Sequence, residues 1–476
     1  MSNKSNILVC DLDGTLIKTD TLIEAFLILL KTSPLSLFLL PFWLFSGKAK
    51  LKNEIFSRVD IPQESLPYNQ DILDFLRSEK SNGRKIILAT ASHISIANKI
   101  ATHLNIFDEV IATTDSLNLS GKNKADALVQ KYGENGFDYI GDNKVDLHIW
   151  KKSNSALIVE KNNSLSDKAK KVANVSKIFT LPQKNYLKIL IKQIRVYQWV
   201  KNILLFLPIF MAHKVSGFDS LLTILFGFFA FSFTASSVYL TNDLLDLESD
   251  RNHPRKKSRP LASGDMPIIH GIFFAKLFFI LGFLIAYFVL PLNFFFTLAI
   301  YYFITTLYSF WLKRIVLIDI FTLAALYTIR IIAGGTASGV EISPWLLAFS
   351  MFIFLSLALV KRYTELLNMI SNNNEIISGR GYKSSDSGLI LAFGGAASYS
   401  AILVFSLYAN SPQVASLYEN SQYMWLVSVL LLYWISRIWL LAHRNEMTDD
   451  PIVFTAKDKS SWLIFIIIII LAFLAK

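Results

Sequence analysis

Two sets of residues in this 476-residue chain have the types and spacing of phosphate chemistry. The first is gathered from distant segments. In "DLDGT", residues 11–15, Asp11 can attack phosphorus to form an aspartyl-phosphate, and Asp13 can protonate the leaving oxygen. Asp11, Asp13 and Asp142, with a backbone carbonyl, make a hard-oxygen set suited to Mg2+, and Asp146 supports it from one helical turn beyond Asp142. Thr90 can bind a phosphoryl oxygen, and Lys124, preferred over Lys122, offsets the developing charge.

The second set is compact: "NDLLDLESDRNHPRKKSRPLASG", residues 242–264. Asn242, Asp246 and Asp250 recur at every fourth position, so one helix face presents them together, with Asp243 just beside it. That row suits Mg2+ bridging a diphosphate, and Asp243, Asp246 and Asp250 are the expected catalytic acids. Arg251, Lys256, Lys257 and Arg259 follow and can grip phosphates directly. A basic loop at a membrane edge needs only the bases; acids at such a boundary are costly and call for a function.

Elements must carry these residues. "NILVC", "RKIILAT" and "FDYIG" read as buried strands ending near Asp11, at Thr90 and before Asp142, with a last strand at 156–159. Helical stretches separate them, which predicts a parallel, Rossmann-like α/β sheet whose strand ends gather the site. The insert 21–47 is apolar, but Asp11 before it and Thr90 and Asp142 after it must meet. It therefore crosses a membrane twice or not at all, and Pro34 and Pro41 break it into short helices. It is expected on the membrane surface, against a second domain, or as an ordinary buried cap pair.

From about residue 198 the chain is dominated by nine apolar segments, centred near 207, 230, 278, 300, 326, 352, 398, 432 and 468. The loops after the even-numbered segments carry most of the Lys and Arg, which predicts an all-α polytopic domain with those loops cytoplasmic. The net charge of +11 is accounted for by such loops without invoking nucleic acid. A single cysteine, Cys10, excludes an internal disulfide, and no secretory signal is read at the start. The expected domains are 1–180, with a helical cap insert at 21–80; an interfacial amphipathic helix at 181–197; and 198–476. Arg330, deep in the fifth segment, is a functional candidate or the partner of an acid such as Asp319.

The ordered set D-L-D-G-T, Thr90, Lys124 and G-D-x-x-x-D resembles the haloacid dehalogenase (HAD) phosphatase superfamily over roughly residues 5–160. The row at 242–264 resembles the UbiA-type intramembrane prenyltransferases. Those generally carry a second Asp-rich motif after the sixth segment, where this chain has "KRYTELLN…GRGYKSSD". With "YQWVKN", "YSFWLKR" and "IRIIAGG", the pattern resembles instead the decaprenyl-phosphate phosphoribosyltransferase branch. The resemblance implies a polyprenyl phosphate acceptor, phosphoribosyl pyrophosphate (PRPP) as donor, Mg2+ in each domain, and a bacterial inner membrane with the sites facing the cytoplasm. It implies further substrate contacts at Gln198, Lys201, Asn202, Lys361, Arg362, Glu365, Arg380 and Tyr382; Lys201 alone is equally explained as an interfacial anchor. The implied sequence is phosphoribosyl transfer and then removal of the 5-phosphate by the HAD domain. The alternative is prenyl transfer from a prenyl diphosphate to an aromatic or lipid acceptor, with a fused phosphatase or phosphosugar sensor. A lipid-phosphate transporter or scaffold is the remaining rival.

Overall fold

Strand β1 (Ile7–Cys10) has no polar alternation because both of its faces are covered. It sits inside a six-stranded sheet in the order β3-β2-β1-β4-β5-β6. The other strands are β2 (Lys85–His93), β3 (Glu109–Thr113), β4 (Asp138–Gly141), β5 (Ser155–Glu160) and β6 (Val175–Thr180). Every neighbouring pair is parallel. The four strands expected from sequence are present. β2 runs past Thr90 to His93, and β3 and β6 are additional edge strands. The computed structural model describes residues 6–476 apart from 115–116, 213–217, 372–379, 413, 415–417 and 448–449. Its packing separates two units, Met1–Ile194 with Leu240–Phe274, and Arg195–Tyr239 with Ala275–Lys476.

In the first unit, apolar residues of β1, β2 and β4 face two layers of helix. Leu8, Leu88 and Ile140 belong to one core; Val9, Ile87 and Tyr139 belong to the other. Between β1 and β2 lies the insert. Asp20 caps helix α1 (Thr21–Thr32), accepting from the backbone N–H of Leu22 at 2.9 Å and Ile23 at 3.1 Å. Helix α1 buries Ala25 and Leu29 in the sheet's core. Pro34 and Pro41 open the short helical turns Pro34–Leu39 and Leu40–Phe45, as their fixed φ favours. Leu35, Phe38, Phe42 and Phe45 of these turns are exposed. One buried ion triad joins the starts of β2 and β4 to the helix before β2: Arg84 bonds Glu79 at 2.8 Å and Asp138 at 2.6 Å, all three nearly inaccessible. Arg84→Met leaves two buried acids uncompensated and is expected to destabilise this unit by about 3–5 kcal/mol, measurable as a lowered unfolding midpoint.

The second unit is helical. Among the described residues, seven helices are long and apolar enough to cross a membrane, or eight if the broken pair Tyr186–Gln193 and Val196–Met211 counts as one span. The segment expected near 207 is that broken pair, interrupted where Arg195 takes φ 56° and starting again as a 3-10 turn. The segment expected near 468 is the helix Lys459–Ala475; its 17 residues rise about 25 Å, short of a ~30 Å hydrocarbon layer. Among the described residues, nine full spans are therefore not reached by length and composition. Helix Ile318–Ser338 carries Gly334 at a close crossing: a Cβ there would lie 2.0 Å from the Leu205 carbonyl oxygen, so only glycine admits this approach.

Candidate functional site

In the first unit the strand ends converge. Asp11 follows β1, and its backbone N–H donates to Ile140 O at 3.0 Å, which ties it to β4. Lys124, on helix Lys122–Tyr132, donates to Asp11 Oδ1 at 2.8 Å and to the Tyr139 hydroxyl at 3.1 Å. It is 3% exposed, whereas Lys122 is on the open side of the same helix. Burial opposes its charge, but Asp11, Asp146 and Asp13 outweigh burial and hold the Lys124 ammonium above the ordinary lysine value.

Asp142 follows β4, and its Oδ1 accepts from the Thr15 hydroxyl at 2.9 Å. Gly14 makes that contact possible. It has φ +80°, and a Cβ there would lie 2.3 Å from Asp142 Oδ2. Asp146 Oδ2 accepts from the backbone N–H groups of Asp142 at 3.2 Å and Asn143 at 2.9 Å, and so fixes the turn that presents Asp142. Among the described residues, Asp11, Asp142 and Asp146 form the one group of carboxylates able to close on a single ion, their ligand atoms lying within 4.8 Å of one another. Burial first, then the neighbouring acids, push Asp142 up to about 7. Burial and Asp11 likewise push Asp146 up to about 6 against the pull of Lys124. Acids in that condition are short of positive charge, and an all-oxygen set of this kind fits Mg2+.

The Asp13 carboxylate turns away from that group. It accepts from the Thr21 backbone N–H at 2.8 Å and the Ser92 hydroxyl at 2.5 Å. Burial, then the charge of Asp20, push it up to about 7, the protonation range of a general acid near neutrality. Thr90 is fully buried, and its hydroxyl oxygen accepts from the Ser92 backbone N–H at 3.0 Å. Sequence reasoning passed over Thr15, Thr21, Ser92 and Lys52. Lys52 stands on the insert helix Lys48–Phe56 and donates to Ala91 O at 2.6 Å and Asn118 Oδ1 at 2.9 Å. Burial lowers its pKa, although the charges of Asp13 and Asp20 oppose that shift. The apolar face of the insert concealed it.

The acid row at 242–250 also belongs to the first unit. Helix Phe218–Leu245 ends there and Leu247–Asn252 begins, with Asp246 at the break. The spacing survives the break, because Asp246 N donates to Asn242 O at 2.9 Å and Asp250 N to Asp246 O at 2.8 Å. Arg259 bridges two acids, reaching Asp243 Oδ1 at 2.9 Å and Asp250 Oδ2 at 2.6 Å, and both acids are buried. Gln193 donates to Asp243 Oδ2 at 2.8 Å and accepts from the Leu261 backbone N–H at 3.1 Å. Asp246 is more open and pairs with Lys31 of α1 at 3.2 Å. Arg251 pairs with Glu24, while Lys256 and Lys257 lie exposed on a 3-10 turn. The carboxylate and amide oxygens of this row are hard donors of the kind Mg2+ takes, and Lys31, Arg259 and Gln193 pair with its acids.

The second unit gathers the remaining candidates in two groups. Lys201 and Asp450 form a close ion pair, and the Lys201 ammonium lies 5.7 Å from the Tyr327 ring centre. Burial raises Asp450, but Lys201 and Lys361 overcome it and hold the acid down at about 2. Asp450 also caps the helix Pro451–Thr455. Asn202 connects to this region's interior, donating to Ser232 Oγ at 2.9 Å and accepting from Arg330 Nε at 3.0 Å. Arg330 further donates to the Tyr301 hydroxyl at 3.2 Å. Asp319 is therefore not its partner. Arg362 holds Asp319 instead, at 2.6 Å, and pairs with Glu365. Arg380 approaches Asp319 at 3.4 Å, and the Tyr382 hydroxyl donates to Asp319 at 2.5 Å. The segment after the sixth expected helix thus closes on Asp319 as a buried charge network. Gln198 follows Arg195, its backbone N–H donating to the Arg195 carbonyl at 2.8 Å.

Residues 203–457 match the family model "UbiA prenyltransferase family", and residues 8–151 match "haloacid dehalogenase-like hydrolase". An uncharacterized protein, y4nM, of Sinorhizobium fredii is 38% identical over 96% of this chain and 88% of its own length. The nodulation protein NoeC of Azorhizobium caulinodans is 33% identical over 56% of this chain and 86% of its own length. The decaprenyl-phosphate phosphoribosyltransferase of Mycolicibacterium smegmatis is 36% identical over 39% of this chain and 59% of its own length.

Proposed function

We propose, because this chain belongs to the UbiA prenyltransferase family and carries a haloacid dehalogenase-like hydrolase domain, that it makes polyprenyl-phosphoryl ribose in two steps. In the first step a polyprenyl phosphate oxygen attacks C1 of PRPP, the C1–oxygen bond to pyrophosphate breaks, and pyrophosphate leaves. Asn242, Asp246 and Asp250 would hold Mg2+, which would supply positive charge to balance the departing pyrophosphate. Lys201 and Lys361, two cations near Asp450, supply charge for a substrate phosphate. Arg362, Glu365, Arg380 and Tyr382 set the shape of that region through Asp319 rather than touching substrate.

In the second step Asp11 attacks the 5-phosphate. A phosphorus–oxygen bond forms to Asp11 as the bond to the ribose oxygen breaks, and Asp13 protonates that oxygen. Lys124 balances charge at the nucleophile. Water then cleaves the aspartyl-phosphate with Asp13 accepting the proton. The exposed Leu35, Phe38, Phe42 and Phe45 of the insert suit a substrate that stays in lipid. The Lys/Arg-rich loops support a bacterial inner-membrane protein with both sites on the cytoplasmic face.

The observation that carries this reading is the buried Asp11–Lys124 pair beside Asp142 and Asp146, in one chain with a region related to phosphoribosyltransferases. The name of the UbiA prenyltransferase family favours a second reading, prenyl transfer from a prenyl diphosphate. Reconstituted protein given Mg2+, PRPP and a short polyprenyl phosphate is expected to yield pyrophosphate, inorganic phosphate and a polyprenyl-phosphoryl ribose by mass spectrometry. Turnover of prenyl diphosphate, with none of PRPP, sinks the first reading in favour of the second.

A further inference from the structure

Helix α1 lies in the hydrolase-like domain, yet two of its four polar side chains, Glu24 and Lys31, reach the segment that carries the acid row. Its first residue touches the hydrolase site: the Thr21 backbone N–H donates to Asp13 at 2.8 Å. Three residues on, Glu24 takes Arg251 in a two-pronged pair, Oε1 to Nη2 at 2.5 Å and Oε2 to Nη1 at 3.2 Å. Both side chains are at most 7% exposed. The Thr19 hydroxyl donates to Glu24 at 2.8 Å and fixes the acid's rotamer from behind. Arg251 completes its fork by donating Nε–H to Ala262 O at 3.1 Å. Two turns further along α1, Lys31 donates to Leu245 O at 2.9 Å and to Asp246 Oδ1 at 3.2 Å.

These contacts fall at the mechanically decisive points of the row. Lys31 holds the carbonyl at which the long helix ends, where a cation also answers the helix dipole. Glu24 holds the residue directly after Asp250 and, through Arg251, the returning turn of the loop at Ala262. Gly264 closes the loop with φ +74°, and a Cβ there would lie 2.7 Å from Lys18 Cβ, just before α1. Arg251 is thereby committed to the protein, although its place in the sequence had assigned it to phosphate.

We propose that Glu24 of the hydrolase-like domain is a positioning residue for the transferase donor site, anchoring through Arg251 the loop that leaves Asp250. The fusion is then an architectural requirement of the transfer step as well as a way to join two reactions. The inference rests on the transferase reading given above. A helix that moves by about 1 Å under a metal-binding row is enough to cost on the order of 100-fold in rate.

The test uses the full chain in proteoliposomes with PRPP, Mg2+ and a polyprenyl phosphate, following pyrophosphate release. Glu24→Gln is expected to lower kcat on the order of 100-fold. It is also expected to raise the Mg2+ concentration for half-maximal rate, with the KM for the polyprenyl phosphate unchanged. The exchanged pair Glu24→Arg with Arg251→Glu is expected to recover much of that loss, because the fork is rebuilt with its poles reversed. Hydrolysis of p-nitrophenyl phosphate by the same preparations reports whether the first unit is folded. If Glu24→Gln transfers like the parent, or falls only in parallel with its hydrolysis and is not recovered by the exchange, the positioning role is wrong. If the parent protein itself releases no pyrophosphate from PRPP, the transferase reading has failed instead.

Discussion

Asp11→Asn is expected to leave phosphoribosyl transfer running and to stop the chain's second reaction, so that a lipid product heavier by one phosphate accumulates. The asparagine amide cannot form the aspartyl-phosphate, and hydrolysis should fall by at least about a thousandfold, roughly 4 kcal/mol of barrier. The usual objection to such a variant is that it strands a buried cation. Here Lys124 keeps Asp146 and Asp13 as compensating charges, along with its bond to Tyr139. Asp142 and Asp146 are both pushed up by the Asp11 charge, so neutralising position 11 relieves them. The two consequences oppose each other, and the fold should hold. Liquid chromatography with mass spectrometry of the lipid fraction checks the outcome. A fully dephosphorylated product from Asp11→Asn would mean that this domain does not perform the second step.

Much of the hydrolase site was legible because strand ends are written in the sequence. An apolar run stops, an acid or threonine follows, and a parallel sheet brings those stops to one edge. Asp11, Thr90 and Asp142 come from that rule, and Lys124 from the need for a cation beside them. Ser92, Thr21 and Lys52 do not, because their arrival depends on how far β2 continues and how the insert folds back over the strand ends. β3 and β6 were missed for a related reason: "EVIAT" and "VSKIFT" are short edge strands, half exposed, without a long apolar run. In the membrane region, hydropathy located the helices but not their partners. Arg330 and Asp319 share one helix, yet each turns to a different neighbour. Arg330 reaches Asn202 and Tyr301, and Asp319 reaches Arg362 and Tyr382. Helix packing decides such pairs, and a single sequence does not encode it in any local spacing. Asp450 was overlooked because it sits in a short polar loop where an acid looks like an ordinary helix cap, which it also is.

The acid row permits a sharper separation between chemistry and stability. Asp246→Ala is expected to reduce PRPP-dependent pyrophosphate release on the order of 100- to 1000-fold while leaving the unfolding midpoint nearly unchanged. Asp246 is the row's accessible member, its side chain 30% exposed and that of its partner Lys31 41% exposed, so losing their ion pair costs at most about 1 kcal/mol. Asp250→Ala differs. Asp250 is 2% exposed and shares Arg259 with Asp243, so its removal leaves a cation that is only half compensated. Lost activity there should come with about 1–3 kcal/mol of lost stability. The pair of variants therefore separates a group that acts on the donor from one that also holds the loop. In Asp246→Ala, hydrolysis of p-nitrophenyl phosphate should continue, since that reaction runs through Asp11, Asp13 and Lys124. The residual transfer should need more Mg2+ for half-maximal rate, because one hard oxygen donor has gone. Parent-like transfer by Asp246→Ala across a Mg2+ titration would show that the row binds no donor. The order of acids and then bases at 242–259 would then serve only the ion pairs among Asp243, Asp250, Arg259, Glu24 and Arg251.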